Sequence, residues 1–306
     1  MKQVYELDHW LEGYLDYLDQ VRRQSAGTIR DVRCTLRRVC RYMDRRRPGV
    51  ALWKLALKDY IKWLEDERAD GSSSHTLTKF LSHLRGVLDY AWRSGKSDRN
   101  VLDGFTLADA GRSPVPTFLT EEEAKRLIEA CPSHRPLQRA HRAMILLLYG
   151  CGLRSAELCA LNAQDVNRER REVFVQRGKG GRQRYVPIPD GAFVELLAYL
   201  CERGGKRGAL FRTEAKRARI SIRYLGRIVQ EAAQRAELRK QVTPKVLRHS
   251  FATHLMDRGV DLAVISQLMG HRSPTETGVY LHALPDRPRQ AIEQLKIANA
   301  AKGRRS

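Results

Sequence analysis

A mainly α-helical chain of two domains, carrying one small β-hairpin, is the fold class this sequence predicts. Three observations carry it. Apolar residues recur at the three- and four-residue spacing of a helix face through most of the chain. One stretch, 172–187, reads instead as two short strands around a glycine-rich turn. Between Asn100 and Pro116 lie two prolines, two glycines and no period, which marks 96–117 as a linker between domains 1–95 and 118–306. At 306 residues both domains have room for a sizeable core.

The first domain reads as four helices. Leu7, Leu11, Leu15 and Leu18, with Trp10 and Tyr14, form the apolar face of the first. Ser25 is placed to cap the second, which is expected to run to about Met43 with Ile29, Val32, Leu36 and Val39 inward. Arg45-Arg46-Arg47-Pro48-Gly49 supplies its stop. The third is expected over Leu57 to Ala69. After the break at Gly71 to Ser74, the fourth carries Leu77, Phe80, Leu81, Leu84, Val87, Leu88 and Ala91. Four such helices make a small bundle. Its outward residues include Arg22, Arg23, Arg30, Arg33, Arg37, Arg38 and Arg41, a lopsided charge that suits a phosphate backbone.

The second domain opens at Thr120, with Glu123 placed for a capping box. It is expected to be helical except for the hairpin, and to end in a helix over about 287–298 and a frayed tail.

Net charge is +21, which favours a polyanionic partner, nucleic acid first. The six cysteines form no CxxC pair and are read as reduced core residues of a cytoplasmic protein. MKQVYELDHW lacks an apolar signal-peptide core, and Met144 to Tyr149 is too short to span a bilayer, so no membrane role is expected.

Four stretches carry chemistry. In YGCGLRSAELCAL, Gly150 and Gly152 free the backbone before a helix, with Arg154 at its start and Glu157 one turn on. This pair is either a plain ion pair or a guanidinium fork aimed at phosphate oxygens. Lys179 lies at the tip of the hairpin turn RGKGGR, where it is either a solvated lysine, a groove contact or a proton donor. In TPKVLRHSFATHL, Thr243-Pro244 starts a helix with Lys245 and Arg248 one turn apart. His249 and His254 are five residues apart with no acid between them, so a zinc site is not expected and both are read as buried or supporting. Finally, His271 follows Gly270, and Tyr280 comes nine residues later as either a packing residue or a nucleophile.

Jointly these stretches resemble the tyrosine recombinase (phage integrase) family, and its Xer-like bacterial members in particular. GCGLRSAEL matches the first arginine motif, RGKGGRQRYVPIP the hairpin lysine, TPKVLRHSFATHL the second basic motif, and LMGHRSPTETGVYLH the last motif with its tyrosine. The close match covers about 118–290; residues 1–95 match in general form, as the SAM-like core-binding domain. Lys245 stands where the family most often has histidine.

The resemblance implies a C-shaped two-domain clamp on double-stranded DNA and site-specific recombination without metal, ATP or other cofactor. Tyr280 is the implied nucleophile, forming a 3′-phosphotyrosyl link on the way to a Holliday junction. Arg154 and Arg248 clamp the phosphate, Lys179 is the general acid, His271 donates a hydrogen bond, and Lys245 assists. Glu157 supports Lys245 or Arg154 from behind, and His249 supports the same site. A homotetramer on paired sites, an accessory recombinase or DNA-bending protein, and a bacterial cytoplasm are implied with it. Two rival readings are a non-catalytic architectural DNA-binding protein and a type IB topoisomerase-like relaxing enzyme.

Overall fold

The computed structural model describes residues 2–108, 117–176, 183–204, 207–213 and 217–271. It divides into two compact units, Met1–Ser113 and Pro114–Ser306. Both are helical, and the second holds a three-stranded antiparallel sheet.

In the first unit α1 spans Lys2–Gln20, α2 Ala26–Arg46, α3 Leu57–Ala69 and α4 Ser74–Arg93. Side-chain oxygens start two of them: Ser25 accepts from the Thr28 amide and Ser73 from the Thr76 amide. The expected apolar faces meet in one core, with Leu15, Leu36, Val39, Trp63, Leu77 and Leu84 buried. α2 runs one turn-fraction past the expected Met43, to Arg46. The arginine run does not break it, because cations in a last turn complement the helix dipole. Arg46 and Arg47 also reach Asp66 at 3.0 Å and Asp59 at 3.3 Å on α3. Arg33 and Arg38 pair with Glu12 and Glu67. Arg22, Arg23, Arg30, Arg37 and Arg41 stay exposed and without ion pairs among the described residues.

In the second unit α5 spans Glu121–Glu129, α6 Pro136–Gly150, α7 Ser155–Ala160, α8 Asp190–Arg203, α9 Ile222–Arg235, α10 Pro244–Asp257 and α11 Leu262–Met269. Thr120 and Glu123 form the expected capping box, the Thr120 amide donating to Glu123 at 2.8 Å. Helix α6 is the spine of the core: Ala143, Met144, Ile145, Leu147 and Leu148 are fully buried, and it packs on α8 and α10.

The hairpin forms as β2, Glu172–Val175, and β3, Arg184–Pro187, with Val173 opposite Val186 and Val175 opposite Arg184. A further strand, β1 at Val166–Asn167, pairs with β2. Two residues are too few to show a period, so β1 was not legible beforehand. Val173, Val175, Val186 and Arg184 share the inner face, since alternate residues of a strand point one way.

The cysteines are all free, but only Cys131, Cys151 and Cys159 are core residues; Cys34 and Cys201 are exposed, which corrects the expectation for the set. No described helix is long and apolar enough to cross a membrane. The expected helix over 287–298 and the tail lie outside the described residues.

Candidate active site

Helix α10 starts where Thr243 Oγ1 accepts from the Val246 amide and Pro244 takes the first helical position. Lys245 is exposed and Arg248, one turn on, is buried. Arg248 donates Nη1 to the Gly152 carbonyl at 2.6 Å and Nη2 to the Met269 carbonyl at 2.8 Å. Gly152 makes the first contact possible. Its φ is +58°, and a Cβ there would stand 2.4 Å from the Phe251 ring on α10.

The turn from α6 into α7 is fixed by Leu153 and Leu158, both fully buried, and presents Arg154 at the helix start. Glu157 reaches back to accept from the Arg154 amide at 2.9 Å and from Arg154 Nη1 at 2.8 Å. The same carboxylate takes a bidentate fork from Arg184 on β3, at 3.0 and 2.9 Å. Arg248 Nη1 is 3.9 Å away. Burial opposes ionisation of Glu157, yet the hydrogen bonds and charge of Arg184, then the Arg154 bonds, outweigh it and hold the carboxyl below its ordinary range.

The third wall is the last turn of α11. Gly270 adopts φ +63°, and the Gly270 and His271 amides fold back on Gln267 and Ser266 carbonyls, a Schellman-type stop. The remaining carbonyls receive the arginines: Leu268 from Arg184 Nε at 2.7 Å, Met269 from Arg154 and Arg248, and Gly270 from Arg154 Nη2 at 3.0 Å. Cations at a helix C-terminus meet the negative end of its dipole. His271 therefore leaves a turn gripped by three guanidinium groups. Among the described residues those groups face one buried carboxylate, so that set keeps a positive excess. An excess of buried positive charge favours an anionic ligand. Arg154, with 21 % of its side chain exposed against 8 % for Arg184 and for Arg248, is the most open of the three.

Among the sequence-predicted residues, Arg154, Glu157, Arg248 and His271 come together around this turn, and Lys179 and Tyr280 lie outside the described residues. Lys245 sits on the exposed side of α10, and the Glu157 carboxylate pairs with Arg154 and Arg184 rather than with it. His249 is half-buried beside Arg248; burial, then the charges of Lys245 and Arg248, push its imidazole down to about 4, so it is neutral at pH 7. His254 is built into the frame: Tyr149 donates its hydroxyl to Nδ1 at 2.8 Å, and Nε2 donates to the Leu119 carbonyl at 2.8 Å. The Leu119 amide donates to Ser250 Oγ on the same helix, which ties the start of this unit to α10. Among the described residues no three of His, Cys, Asp and Glu converge as a metal-binding set.

Arg184 was not anticipated. The signal was present: two residues before buried Val186, it occupies the inward register of β3, and an inward arginine needs a buried acceptor.

Residues 117–287 match the phage integrase family, and residues 11–95 match the phage integrase N-terminal SAM-like domain. Tyrosine recombinase XerD of Mycobacterium tuberculosis is 34% identical over 302 residues, covering 90% of this chain and 94% of that protein. Tyrosine recombinase XerA of Pyrococcus furiosus is 33% identical over 248 residues, covering 78% and 81%. The fold is shared with XerH site-specific recombinase bound to palindromic difH substrate, at a TM-score of 0.73, 21% identity, and coverage of 95% of this chain and 88% of that one. With a family match over most of the second unit and one-third identity to XerD along nearly the whole length, this chain belongs to the phage integrase family, the tyrosine recombinases.

Proposed function

We propose that the protein is a site-specific DNA recombinase that cuts and rejoins strands through Tyr280. The observation that carries the reading is the Arg154–Arg184–Arg248 cluster, which surrounds one carboxylate at the turn that leads into His271. Phosphodiester transesterification places growing negative charge on non-bridging oxygens, and cations already fixed in place stabilise it without reorganising.

In this mechanism the phenolic oxygen of Tyr280 loses its proton to water and attacks phosphorus, and the bond to the 5′ oxygen breaks. The products are a 3′-phosphotyrosyl link and a 5′-hydroxyl, whose proton comes from Lys179 as general acid. A 5′-hydroxyl from the partner duplex reverses the step on the other strand, giving a Holliday junction. Arg154 and Arg248 hold the non-bridging oxygens. Among the described residues Arg154 gives three of its five N–H groups to protein acceptors, and the other two can address an oxygen pair. His271 donates to the phosphate. Glu157 orients Arg154, and neutral His249 packs behind the basic pair. The exposure of Lys245 supports an electrostatic contribution from solvent rather than a buried proton relay.

Double-stranded DNA is the partner. Proteins of this fold have been captured with DNA, among them the Tn1549 transposon integrase in complex with transposon right end DNA. The exposed arginines of α2 add backbone contacts, and four protomers assemble on a pair of sites. The working compartment is the bacterial cytoplasm.

The deciding experiment uses a nicked suicide duplex, its sequence selected from a random library by binding to the protein, incubated in EDTA. Wild type forms a covalent adduct and Tyr280→Phe forms none. An adduct that survives Tyr280→Phe, or no adduct with either, refutes strand cleavage by Tyr280 and leaves a DNA-binding protein. An adduct with relaxation of supercoils but no recombinant product favours the topoisomerase-like activity.

A further inference from the structure

We propose that Arg184 is a positioning residue of this site: it locks the Glu157 carboxylate and the last turn of α11 to β3, so that Arg154 and His271 address the same phosphate. The proposal rests on reading the cluster as a phosphodiester site.

Arg184 joins three elements. Its Nε donates to the Leu268 carbonyl of α11 at 2.7 Å, and its two terminal nitrogens take the two Glu157 oxygens of α7 at 3.0 and 2.9 Å. All three of its nitrogens are therefore engaged from a strand to two helices. The plane lies flat on the turn: a Cβ at Gly270 would be 2.6 Å from Arg184 Nη1. With 8 % of its side chain exposed, Arg184 stands behind the more open Arg154.

Stability alone does not account for this arrangement. Arg154 already neutralises Glu157, and a buried ion pair is frequently no more stable than apolar residues of similar volume. A second buried guanidinium on a neutralised carboxylate raises the charge excess instead of cancelling it. Its geometric effect is different. With both carboxylate oxygens pinned by Arg184, the Arg154 side chain has one direction in which to point its remaining N–H groups. Because the same fork carries the α11 carbonyl, the turn that precedes His271 keeps register with Arg154. Lysine cannot substitute, since a single ammonium lacks the planar fork and the separate Nε donor.

The test compares Arg184→Lys with wild type on the nicked suicide duplex, measuring the single-turnover rate of adduct formation at saturating protein, DNA affinity by anisotropy, and melting temperature. Misplacement of a phosphate clamp predicts a rate lower by about 10²-fold with affinity within about threefold. The effect should vanish when the oriented group is gone: in a Glu157→Gln background, adding Arg184→Lys changes the rate by less than about threefold. An unaffected rate, a rate loss fully explained by affinity, or an undiminished effect in the Glu157→Gln background overturns the proposal. Should Arg184→Lys not melt cooperatively, Arg184→Gln joined to Glu157→Gln, which removes both buried charges, is compared with Glu157→Gln alone. Equal rates then support the proposal and a further fall overturns it. Absence of adduct from wild type itself would instead defeat the recombinase reading.

Discussion

At the scale of single residues, Glu157 decides the most. Its carboxylate is 2 % exposed and shared between two arginines, with a third nearby. Glu157→Gln leaves those cations without a counter-charge, and loss of one partner of a buried ionic network is expected to destabilise the fold by about 3 kcal/mol. The pH dependence has a fixed sign. The folded carboxyl titrates below its ordinary value of 4.5, so its stabilisation is complete above that value and is lost as pH falls through the depressed folded value. Urea unfolding of wild type and Glu157→Gln should therefore differ by a constant amount from pH 7 to 5 and converge as pH falls through the depressed folded value. A gap that persists unchanged to the lowest pH would assign the stabilisation to shape rather than charge.

At the scale of elements, the stop of α11 is the joint on which the site turns. Gly270 is constrained twice, by φ +63° and by the Arg184 guanidinium that a Cβ would strike. Gly259, at φ +82° in open space, is constrained only by its backbone. Gly259→Ala should thus cost about 1 kcal/mol, the usual left-handed penalty, and leave adduct formation intact. Gly270→Ala should cost more, about 2–3 kcal/mol by strain and displacement together, and slow adduct formation as well. Thermal melting and the suicide assay separate the two variants. Much at this scale was legible beforehand. Leu57–Ala69 shows its helix in apolar spacing and a Gly-Ser break, and the paired runs around 172–187 show their strands. Arg154 with Glu157 was legible as a local pair because helix neighbours three apart must meet. The grip of Arg154 on Met269 and Gly270 was not, since contacts across more than a hundred residues leave no local period. Arg184 fell between: its register was readable, but its partner lay on another element.

For the whole molecule, the +21 net charge sets how it meets DNA. Affinity should fall steeply with salt, because each neutralised phosphate releases condensed counterions. Arg30, Arg37 and Arg41 are exposed on α2 without carboxylate partners among the described residues. Replacing all three with glutamine should lower affinity on specific and random duplexes alike, and reduce the slope of log K against log salt by about 3. Anisotropy titrations across a salt series read both quantities. An unchanged slope would place this face away from the backbone. The second unit carries a different lesson. The guanidinium groups proposed to hold the scissile phosphate are the ones that hold the final carbonyls of α11. Substrate and polypeptide are then bound through common donors, and thermodynamic reciprocity follows. Any change in that turn that alters affinity for the phosphate is matched by an equal effect of a bound phosphate on the turn. The cleavage centre would then report, through the stop of α11, whether DNA is present.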